Sequence, residues 1–189
     1  MKTPRLDALD APDLSGSTAF VTGTTRGIGK EIALALAEAG ANVVSTGKTV
    51  DDSDSDLEGT IEKTADACRD RGVDSLAVQL DVRDAEAVEA ATEAAIEEFG
   101  TVDIVVNNAS AIQLANVADL PAKRFDLLNE VNARGSYLVA RSFLPHLREQ
   151  DGAWLLANAP PVTTDRAPGK APYAWSKLGM SFLTLSLAD

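Results

Sequence analysis

A glycine-rich segment between a strand-like run and a helix-like run constrains the fold most strongly. Residues 17–22 (STAFVT) have the composition of a short β-strand, and residues 30–39 (KEIALALAEA) have the apolar spacing of a helix. Gly23, Gly27 and Gly29 lie between these two runs. Glycines allow a tight turn and a close approach of a pyrophosphate to the backbone, and the N-terminus of the following helix attracts that anion. The segment therefore predicts a dinucleotide-binding turn.

A phosphate loop of the G-x-x-x-x-G-K-[ST] type is the main alternative for such a segment. In that motif a hydroxyl residue follows the lysine and binds magnesium. Here five residues separate Gly23 from Gly29, which is one too many, and Glu31 occupies the position of the hydroxyl residue. The sequence excludes this alternative.

Strand-like and helix-like runs alternate along the rest of the chain. The strand-like runs cover residues 41–46, 75–80, 102–106 and 153–157, and the helix-like runs cover residues 57–71, 85–99, 121–149 and 172–187. This alternation indicates βαβ units and a parallel sheet, and the apolar character of the strands indicates that both faces are covered. We predict an α/β fold of the Rossmann type, a doubly wound parallel sheet with helices on both faces. It forms a single domain at residues 17–189, after an N-terminal tail at residues 1–16.

The charge composition excludes two classes of partner. The chain of 189 residues carries 29 acidic and 17 basic residues, which gives a formal net charge of −12. Such a surface repels nucleic acid phosphates and anionic lipid headgroups, so we expect neither nucleic acid nor membrane as a partner. A solvated acidic surface explains the composition, and adaptation to high salt is a narrower explanation of it.

The sequence gives no sign of targeting or of metal binding. No apolar run has the length needed to span a bilayer, and the first residues lack the apolar stretch of a signal peptide. The single cysteine, Cys68, and the single histidine, His146, provide neither a disulfide framework nor a zinc site. We therefore expect a cytoplasmic protein without a bound metal.

Further motifs follow the glycine-rich segment in order. They are Asp81-Val82 after the third strand, Asn107-Asn108-Ala109-Ser110 after the fourth, Asn132 within the long helix, and Tyr173 with Lys177 in the last helix. Together with the spacing TG-x-x-x-G-I-G, this set resembles the short-chain dehydrogenase/reductase family across nearly all of residues 17–189. Shorter stretches at residues 47–49 (GKT), 107–112 (NNASAI) and 160–161 (PP) resemble the hydroxysteroid dehydrogenase-like branch of that family.

The resemblance implies roles for three residues of a catalytic centre. Tyr173 would act as the general acid/base that exchanges a proton with a hydroxyl or carbonyl substrate, while hydride passes to or from a nicotinamide. A free tyrosine titrates near ~10, and the charge of Lys177, one helical turn away, favours the phenolate. Lys177 would also hold the nicotinamide ribose, and Asn132 would support a water of the proton relay. Without the other motifs, Tyr173 and Lys177 would be read as an incidental surface pair.

The resemblance also implies a set of cofactor-binding residues. They are Gly23, Thr24, Thr25, Arg26, Gly27, Ile28, Gly29, Lys48, Asp81, Val82, Asn108, Ala109, Tyr173 and Lys177. NAD-type sites place an acidic residue at the end of the second strand, but none occurs here before Asp51. Arg26 and Lys48 would instead bind a 2′-phosphate, although both could also be solvated surface cations. The acidic loop at residues 51–56 opposes a phosphate unless it turns away. We predict NADP(H) in preference to NAD(H).

One departure from the family pattern concerns the substrate oxygen. The family carries a serine that binds this oxygen, but at that position the chain reads NAPP at residues 158–161. Loss of one such donor typically costs about 10²–10³ in rate. Ser110, Thr163 or Thr164 could supply a hydroxyl in its place. A dinucleotide-binding but catalytically weak protein is therefore the alternative to an active oxidoreductase.

A second departure is the end of the chain at Asp189, where the family continues with further strands. The run at residues 153–157 would then form an apolar sheet edge. We predict that the chain is a truncated form of a longer one, or that a partner completes its sheet, and we expect Trp154 to lie in the core. The resemblance also implies a homodimer or tetramer in which the helices near residues 121–149 and 172–187 pair between subunits.

Overall fold

Parallel pairing joins the five strands of the described residues, 12–54, 57–160 and 169–188, into one sheet in this computed structural model. The strands are β1 (Thr18–Thr22), β2 (Asn42–Gly47), β3 (Ser75–Gln79), β4 (Ile104–Asn107) and β5 (Trp154–Ala157). Their order across the sheet is β3-β2-β1-β4-β5, so the direction of progression reverses between β1 and β4. Ligands of open parallel sheets bind outside the carboxyl ends of the strands at such a reversal.

Helices cover both faces of this sheet. They are α1 (Gly27–Glu38), α2 (Ile61–Arg69), α3 (Ala85–Phe99), α4 (Ala122–Leu128), α5 (Gly135–Leu147) and α6 (Ala171–Ser186). On one face, the ring of Phe20 packs against that of Phe143 of α5, with 4.7 Å between ring centroids. On the other face, Val21 belongs to a core cluster with Ala33 of α1 and Cys68 of α2. The predicted doubly wound α/β architecture is confirmed.

Capping groups set the limits of the helices. The sequence pattern predicts an earlier start for α2, but the helix begins at Ile61 because the Thr60 side chain accepts a hydrogen bond from the backbone N–H of Lys63. Asp84 caps α3 in the same way, and Gly100 ends that helix with a φ of 73°, a left-handed conformation that favours glycine. Thr60 and Asp84 thus fix the first residues of α2 and α3, and Gly100 fixes the last residue of α3.

An irregular turn interrupts the helix predicted at residues 121–149. After α4, residues Asn129–Arg134 form a π-helical stretch, and α5 follows without a break in the chain of helical residues. Asn132 is fully buried within this stretch. Because π-helical turns in otherwise regular helices are frequently found at functional sites, the position of Asn132 is consistent with a role near the cleft described below.

The outer strand β5 is less buried than the sequence pattern predicts. Trp154 is 66% exposed and Leu156 is 45% exposed, whereas Leu155 packs against the core cluster that contains Phe143. The prediction that Trp154 lies in the core is wrong, because the side chain projects from an edge strand on the face opposite to Leu155. The expected apolar sheet edge is present along β5. None of the helices formed by the described residues has the length and hydrophobicity needed to cross a membrane.

The single histidine connects α5 to the segment before β4, and this contact yields a prediction. The backbone N–H of Val102, a fully buried residue, donates a hydrogen bond to His146 Nε2 at 3.0 Å. We expect His146→Phe to lower the free energy of unfolding by about 1–3 kcal/mol, because the N–H loses its acceptor while an aromatic ring is kept. Urea unfolding measures this loss. His146→Gln retains an acceptor oxygen and should lose less; equal losses in the two variants would contradict the assigned role of the hydrogen bond.

Candidate active site

A cleft of about 1080 Å³ opens at the carboxyl edge of the sheet, where the strand order reverses. Twelve of the predicted site residues line it: Gly23, Thr25, Arg26, Ile28, Gly29, Lys48, Asp81, Val82, Asn108, Ala109, Tyr173 and Lys177. Small-molecule sites commonly span about 300–1,000 Å³, so the cleft has the size of a site for a large ligand. The structure thus brings together residues that are more than 150 positions apart in the chain, such as Gly23 and Lys177.

Three predicted site residues lie outside the lining of this cleft. Thr24 is buried beneath the turn, where its hydroxyl contacts Ser45 Oγ at 2.6 Å and donates to the Thr46 carbonyl at 3.1 Å. Gly27 is exposed at the start of α1, and Asn132 is buried behind the cleft wall. Thr24 therefore supports the turn from below and does not face the cleft.

The glycines of the turn fit a bound pyrophosphate. Gly23 has a φ of 74° and lies so close to Ala109 that a Cβ would approach its Cα to 2.9 Å. A Cβ at Gly29 would overlap the Gly23 carbonyl oxygen and the side chain of Asn108, whereas a Cβ at Gly27 would meet open space. The first and third glycines thus serve close packing, and the second leaves the N-terminus of α1 accessible. Free N–H groups at such a helix start are suited to an anion.

The hydroxyl of Thr22 ties the end of β1 to the segment after β4. Its Oγ1 accepts hydrogen bonds from the backbone N–H groups of Asn108 at 2.9 Å and Ala109 at 3.0 Å, and donates to the Val106 carbonyl at 3.2 Å. The Asn108 side chain in turn donates to the carbonyls of Thr22 and Gly23 at 2.8 and 3.1 Å. Sequence reasoning did not select Thr22, although a hydroxyl residue at the end of a buried strand, directly before the glycine turn, is a usable signal.

A chain of hydrogen bonds extends from this point to the last helix. Asn158, directly after β5, donates from Nδ2 to Asn108 Oδ1 at 2.9 Å, and its carbonyl accepts a hydrogen bond from Lys177 Nζ at 3.0 Å. The Lys177 residue is only 3% exposed, and this burial lowers the pKa of its ammonium to about 8. The ammonium form still dominates at neutral pH, with its direction fixed by the Asn158 carbonyl.

Asn132 connects α6 to the segment after β4. Its Oδ1 accepts a hydrogen bond from the Ala111 N–H at 2.9 Å, and its Nδ2 donates to the Ala111 carbonyl at 3.0 Å and to Ser176 Oγ at 2.8 Å. Ser176 Oγ then donates to the carbonyl of Tyr173 at 2.8 Å. The Asn132 carbonyl accepts a hydrogen bond from Ser136 Oγ at 2.7 Å. The side chain of Asn132 therefore positions the turn of α6 that carries Tyr173.

The two cations predicted to bind a 2′-phosphate both contact oxygen atoms of the protein. Arg26 Nη1 donates to the carbonyls of Leu57 and Glu58. Lys48 Nζ lies 3.4 Å from the carboxylate of Asp81. In the acidic loop, Asp52 forms an ion pair with Lys63, whereas residues 55 and 56 lie outside the described part of the chain. Cations and acidic groups are thus already paired at this end of the cleft.

Arg83 is a cleft residue that sequence reasoning missed. Its guanidinium contacts both carboxylate oxygens of Asp81, at 2.6 to 3.1 Å. These hydrogen bonds lower the pKa of Asp81 to about 2, so the carboxylate stays ionised at neutral pH. Arg83 lies two positions after Asp81 and shows no sequence signal of its own. Its contact with Asp81 depends on the backbone turn before α3.

The substrate end of the cleft lacks the hydroxyl that the family pattern provides. Ala159 and Pro160 line the cleft at that position. Ser110 also lines the cleft and donates to the Ala111 carbonyl at 3.2 Å, while Thr163 and Thr164 lie outside the described residues. Within the described residues, no group of three or more histidine, cysteine, aspartate or glutamate side chains could hold a metal ion.

Comparison with known proteins identifies the family. A family model described as short chain dehydrogenase matches residues 17–189. The chain belongs to this family. Short-chain dehydrogenases are oxidoreductases that act on hydroxyl and carbonyl groups with NAD(P), which agrees with the position of the glycine turn and of Tyr173 on one cleft.

Two relatives are similar in sequence to most of this chain. Hydroxysteroid dehydrogenase-like protein 2 from Homo sapiens is 43% identical over 178 residues, which are 93% of this chain and 42% of the relative. The protein of the same name from Danio rerio is 41% identical over 178 residues, or 93% of this chain and 43% of the relative. The predicted resemblance to this branch is confirmed. The chain spans less than half of the length of these relatives.

Solved structures agree with the fold. A Xanthomonas campestris protein assigned as a dehydrogenase is 43% identical, with a TM-score of 0.86 over 94% of this chain and 67% of the other. A short chain dehydrogenase from Mycobacterium thermoresistibile is 39% identical, with a TM-score of 0.85 over 92% of this chain and 62% of the other. The five-stranded parallel sheet therefore has the arrangement of a short-chain dehydrogenase.

The role assigned to Thr22 yields a prediction. We expect Thr22→Val to lower the free energy of unfolding by about 2–4 kcal/mol, because two backbone N–H groups lose their acceptor at almost constant side-chain volume. Denaturant unfolding measures this loss. Thr22→Ser keeps the hydroxyl and should lose markedly less. A Thr22→Val variant as stable as the wild type would show that the two N–H groups find another acceptor.

Proposed function

We propose that this short-chain dehydrogenase binds NADP(H) and interconverts a hydroxyl and a carbonyl group of a small molecule by hydride transfer. The observation that carries the proposal is the common cleft of Tyr173, Lys177 and the glycine turn. An acid/base residue is useful only within reach of the proton that it transfers, and this cleft provides that proximity. Steroid specificity does not follow from the names of the relatives, and the proposal extends to an alcohol or carbonyl compound only.

In the proposed mechanism, the glycine turn and Lys177 would hold a nicotinamide dinucleotide, which would supply or accept the hydride. Tyr173 donates its phenolic proton to the carbonyl oxygen of the substrate, and in the reverse direction it takes the proton of the alcohol. The ammonium of Lys177, one helical turn away, stabilises the phenolate. Its direction is fixed by the Asn158 carbonyl. This support is present below pH 8 and is lost as the pH rises through the lowered pKa of Lys177, about 8.

In this proposal, Asn132 positions the turn of α6 that carries Tyr173. Its side chain links the backbone of Ala111 to Ser176, and Ser176 contacts the carbonyl of Tyr173. The turn of α6 that carries the phenol is thereby fixed against the wall of the cleft. The relay water expected near Asn132 would have to share the Asn132 carbonyl with the hydroxyl of Ser136.

Replacement of Tyr173 tests the proposed chemistry. We expect Tyr173→Phe to lower kcat for reduction of small aldehydes and ketones by about 10²–10⁴-fold, because no other group donates the proton as effectively. The dissociation constant of NADPH, measured by fluorescence titration, should change much less. The chain has one other tyrosine, Tyr137, which is half exposed on α5, and Tyr137→Phe is the matched control. Equal rates in wild type and Tyr173→Phe would refute the assignment.

The preference for NADP(H) rests on the charges at the end of the cleft beside Lys48 and Asp81, which is called the adenine end because the resemblance to the family assigns the adenine of the cofactor to it. β2 ends at Gly47 and is followed by Lys48, so that no acidic residue is available there for the ribose hydroxyls of NAD. Arg26 lies on the turn, and its present partners are the carbonyls of Leu57 and Glu58. A phosphate dianion is a stronger acceptor than a backbone carbonyl, so we expect it to displace these contacts.

Weak catalysis is the second candidate function, and Ala159 favours it. This residue lines the cleft two positions after the end of β5 and has no hydroxyl to offer the substrate oxygen. In that case the chain binds the dinucleotide but turns substrate over slowly. Weak catalysis can be tested separately, because a substitution can restore the missing hydroxyl at position 159.

We expect Ala159→Ser to raise kcat/KM for small ketones by about 10²-fold, because it adds a donor at the developing oxyanion. The rate of NADPH consumption measures this gain. Ser110→Ala is the companion variant, since Ser110 lines the cleft and could supply a hydroxyl in place of the missing serine. No gain in Ala159→Ser together with a loss in Ser110→Ala would assign the substrate contact to Ser110 instead.

We also propose that the chain forms a homo-oligomer in the cytoplasm. Exposed apolar residues follow one another along α6 at spacings of three and four: Trp175, Leu178, Phe182 and Leu185. Such spacing places them on one side of the helix, where a second copy would remove them from water. Light scattering of the purified chain measures the state, and a monomer at working concentrations would contradict the proposal.

A further inference from the structure

A compact group of charges occupies the adenine end of the cleft. The Asp81 carboxylate lies between two cations. Arg83 donates from Nη2 at 2.6 Å and from Nε at 3.0 and 3.1 Å, and its backbone N–H donates to Asp81 Oδ1 at 3.1 Å. On the other side, Lys48 Nζ lies 3.4 Å from Asp81 Oδ2. Arg83 is thus the closer and more extensively bonded partner of Asp81.

The surroundings fix Arg83 more firmly than Lys48. Arg134 Nη1 donates to the Arg83 carbonyl at 2.6 Å, and the guanidinium of Arg83 lies 4.0 Å from the carboxylate of Glu130. The Lys48 side chain is 66% exposed, although its backbone carbonyl accepts a hydrogen bond from Gln79 at 3.2 Å. The ammonium of Lys48 can therefore turn toward a ligand, while Arg83 stays on Asp81.

The net charge of the side chains at this end of the cleft affects whether it binds a ribose with a 2′-phosphate or one with a free 2′-hydroxyl. Lys48, Asp81 and Arg83 line the cleft and together carry a charge of +1, to which Arg26 of the glycine turn adds a further positive charge, and Glu130 is outside the lining. Asp81 keeps its negative charge at neutral pH because its pKa is lowered to about 2. If Arg83 were neutral, Asp81 would cancel the charge of Lys48. The pair of Lys48 and Asp81 would then carry no net charge with which to attract a phosphate.

We infer that Arg83 is a specificity-determining residue for the 2′-phosphate of the cofactor, because it neutralises Asp81 and leaves the charge of Lys48 available to the phosphate. The inference rests on the proposed NADP(H) binding and adds to it a residue that acts through Asp81. Arg83 is therefore a positioning and charge-compensating residue. A chain with the same Lys48 but a neutral residue 83 would discriminate less between NADP(H) and NAD(H).

Binding of adenosine 2′,5′-bisphosphate and of AMP tests this inference without any catalytic step. The ratio of the two dissociation constants isolates the contribution of the 2′-phosphate, because contacts with the adenine and the ribose 5′ side cancel. Calorimetric titrations at low ionic strength would compare wild type, Arg83→Gln, Asp81→Asn and the double variant. These four chains differ at the cleft end by one formal charge per substitution.

The expected ratios follow from the charge sum. Arg83→Gln should lower the preference for the 2′-phosphate by about three- to tenfold, and Asp81→Asn should raise it by a similar factor, as expected for one charge at a partly exposed site. The double variant should return close to the wild-type ratio, since its charge sum is again +1. A purely structural role of Arg83 does not predict this restoration.

Two control variants separate charge from other effects. Arg83→Lys keeps the charge and should retain most of the preference even if the local turn is loosened. Arg141→Gln removes an exposed cation of α5, which pairs with Glu89 outside this cleft, and should leave the ratio unchanged. Circular dichroism of each variant confirms that the fold is kept.

Each contrary result has a distinct meaning. Lys48→Ala is titrated in the same way; if it lowers the ratio but Arg83→Gln does not, NADP(H) binding stands and the inference on Arg83 is wrong. If Arg83→Gln lowers the ratio and the double variant does not restore it, the effect is structural and the inference is again wrong. If the wild type binds the two nucleotides equally, the proposed preference for NADP(H) fails and the inference fails with it.

Discussion

The cleft depends on the hydroxyl of Thr22, which joins the end of β1 to the segment after β4. Its oxygen accepts hydrogen bonds from two backbone N–H groups of that segment. These bonds set the separation of the ends of β1 and β4, the two strands between which the sheet reverses its order. Asn108 is then placed to contact the glycine turn on one side and Asn158 on the other. Through the Asn158 carbonyl the same chain of hydrogen bonds reaches Lys177. One continuous chain of polar contacts therefore connects the glycine turn to α6, which carries Tyr173 and Lys177.

The electrostatics of the cleft contrast with those of the whole chain. A net charge of −12 would repel a dinucleotide carrying several phosphates. The cleft counters this field with the N-terminus of α1, with Arg26 and Lys48 at the adenine end, and with the buried ammonium of Lys177 at the other end. The direction of the Lys177 ammonium is set by the Asn158 carbonyl, whereas Arg26 and Lys48 exchange their present oxygen contacts for those of a ligand.

The sequence predicted the architecture and most of the cleft, because strand–helix alternation and the glycine turn are local signals. It did not predict the contacts of Thr22 with Asn108, which are 86 positions apart, since such pairs depend on the spacing of strands in the sheet. The pairing of Arg83 with Asp81 was missed because it depends on one turn of backbone. The exposure of Trp154 was missed because residue type alone does not reveal which strand lies at the edge.

Because α4 and α5 are joined by the π-helical stretch at Asn129–Arg134, their relative orientation depends on the number of residues in that stretch. Each residue of an α-helix advances the direction of the side chains by about 100°. Loss of one residue here would let α4 and α5 join as a single regular helix, and it would rotate Phe143 away from Phe20 or Ala122–Leu128 away from its own contacts. Insertions and deletions within residues 129–134 are thus restricted far more than insertions and deletions before α4. The phase between α4 and α5 thus adds to the hydrogen bonds of the Asn132 amide in keeping this side chain directed at Ala111.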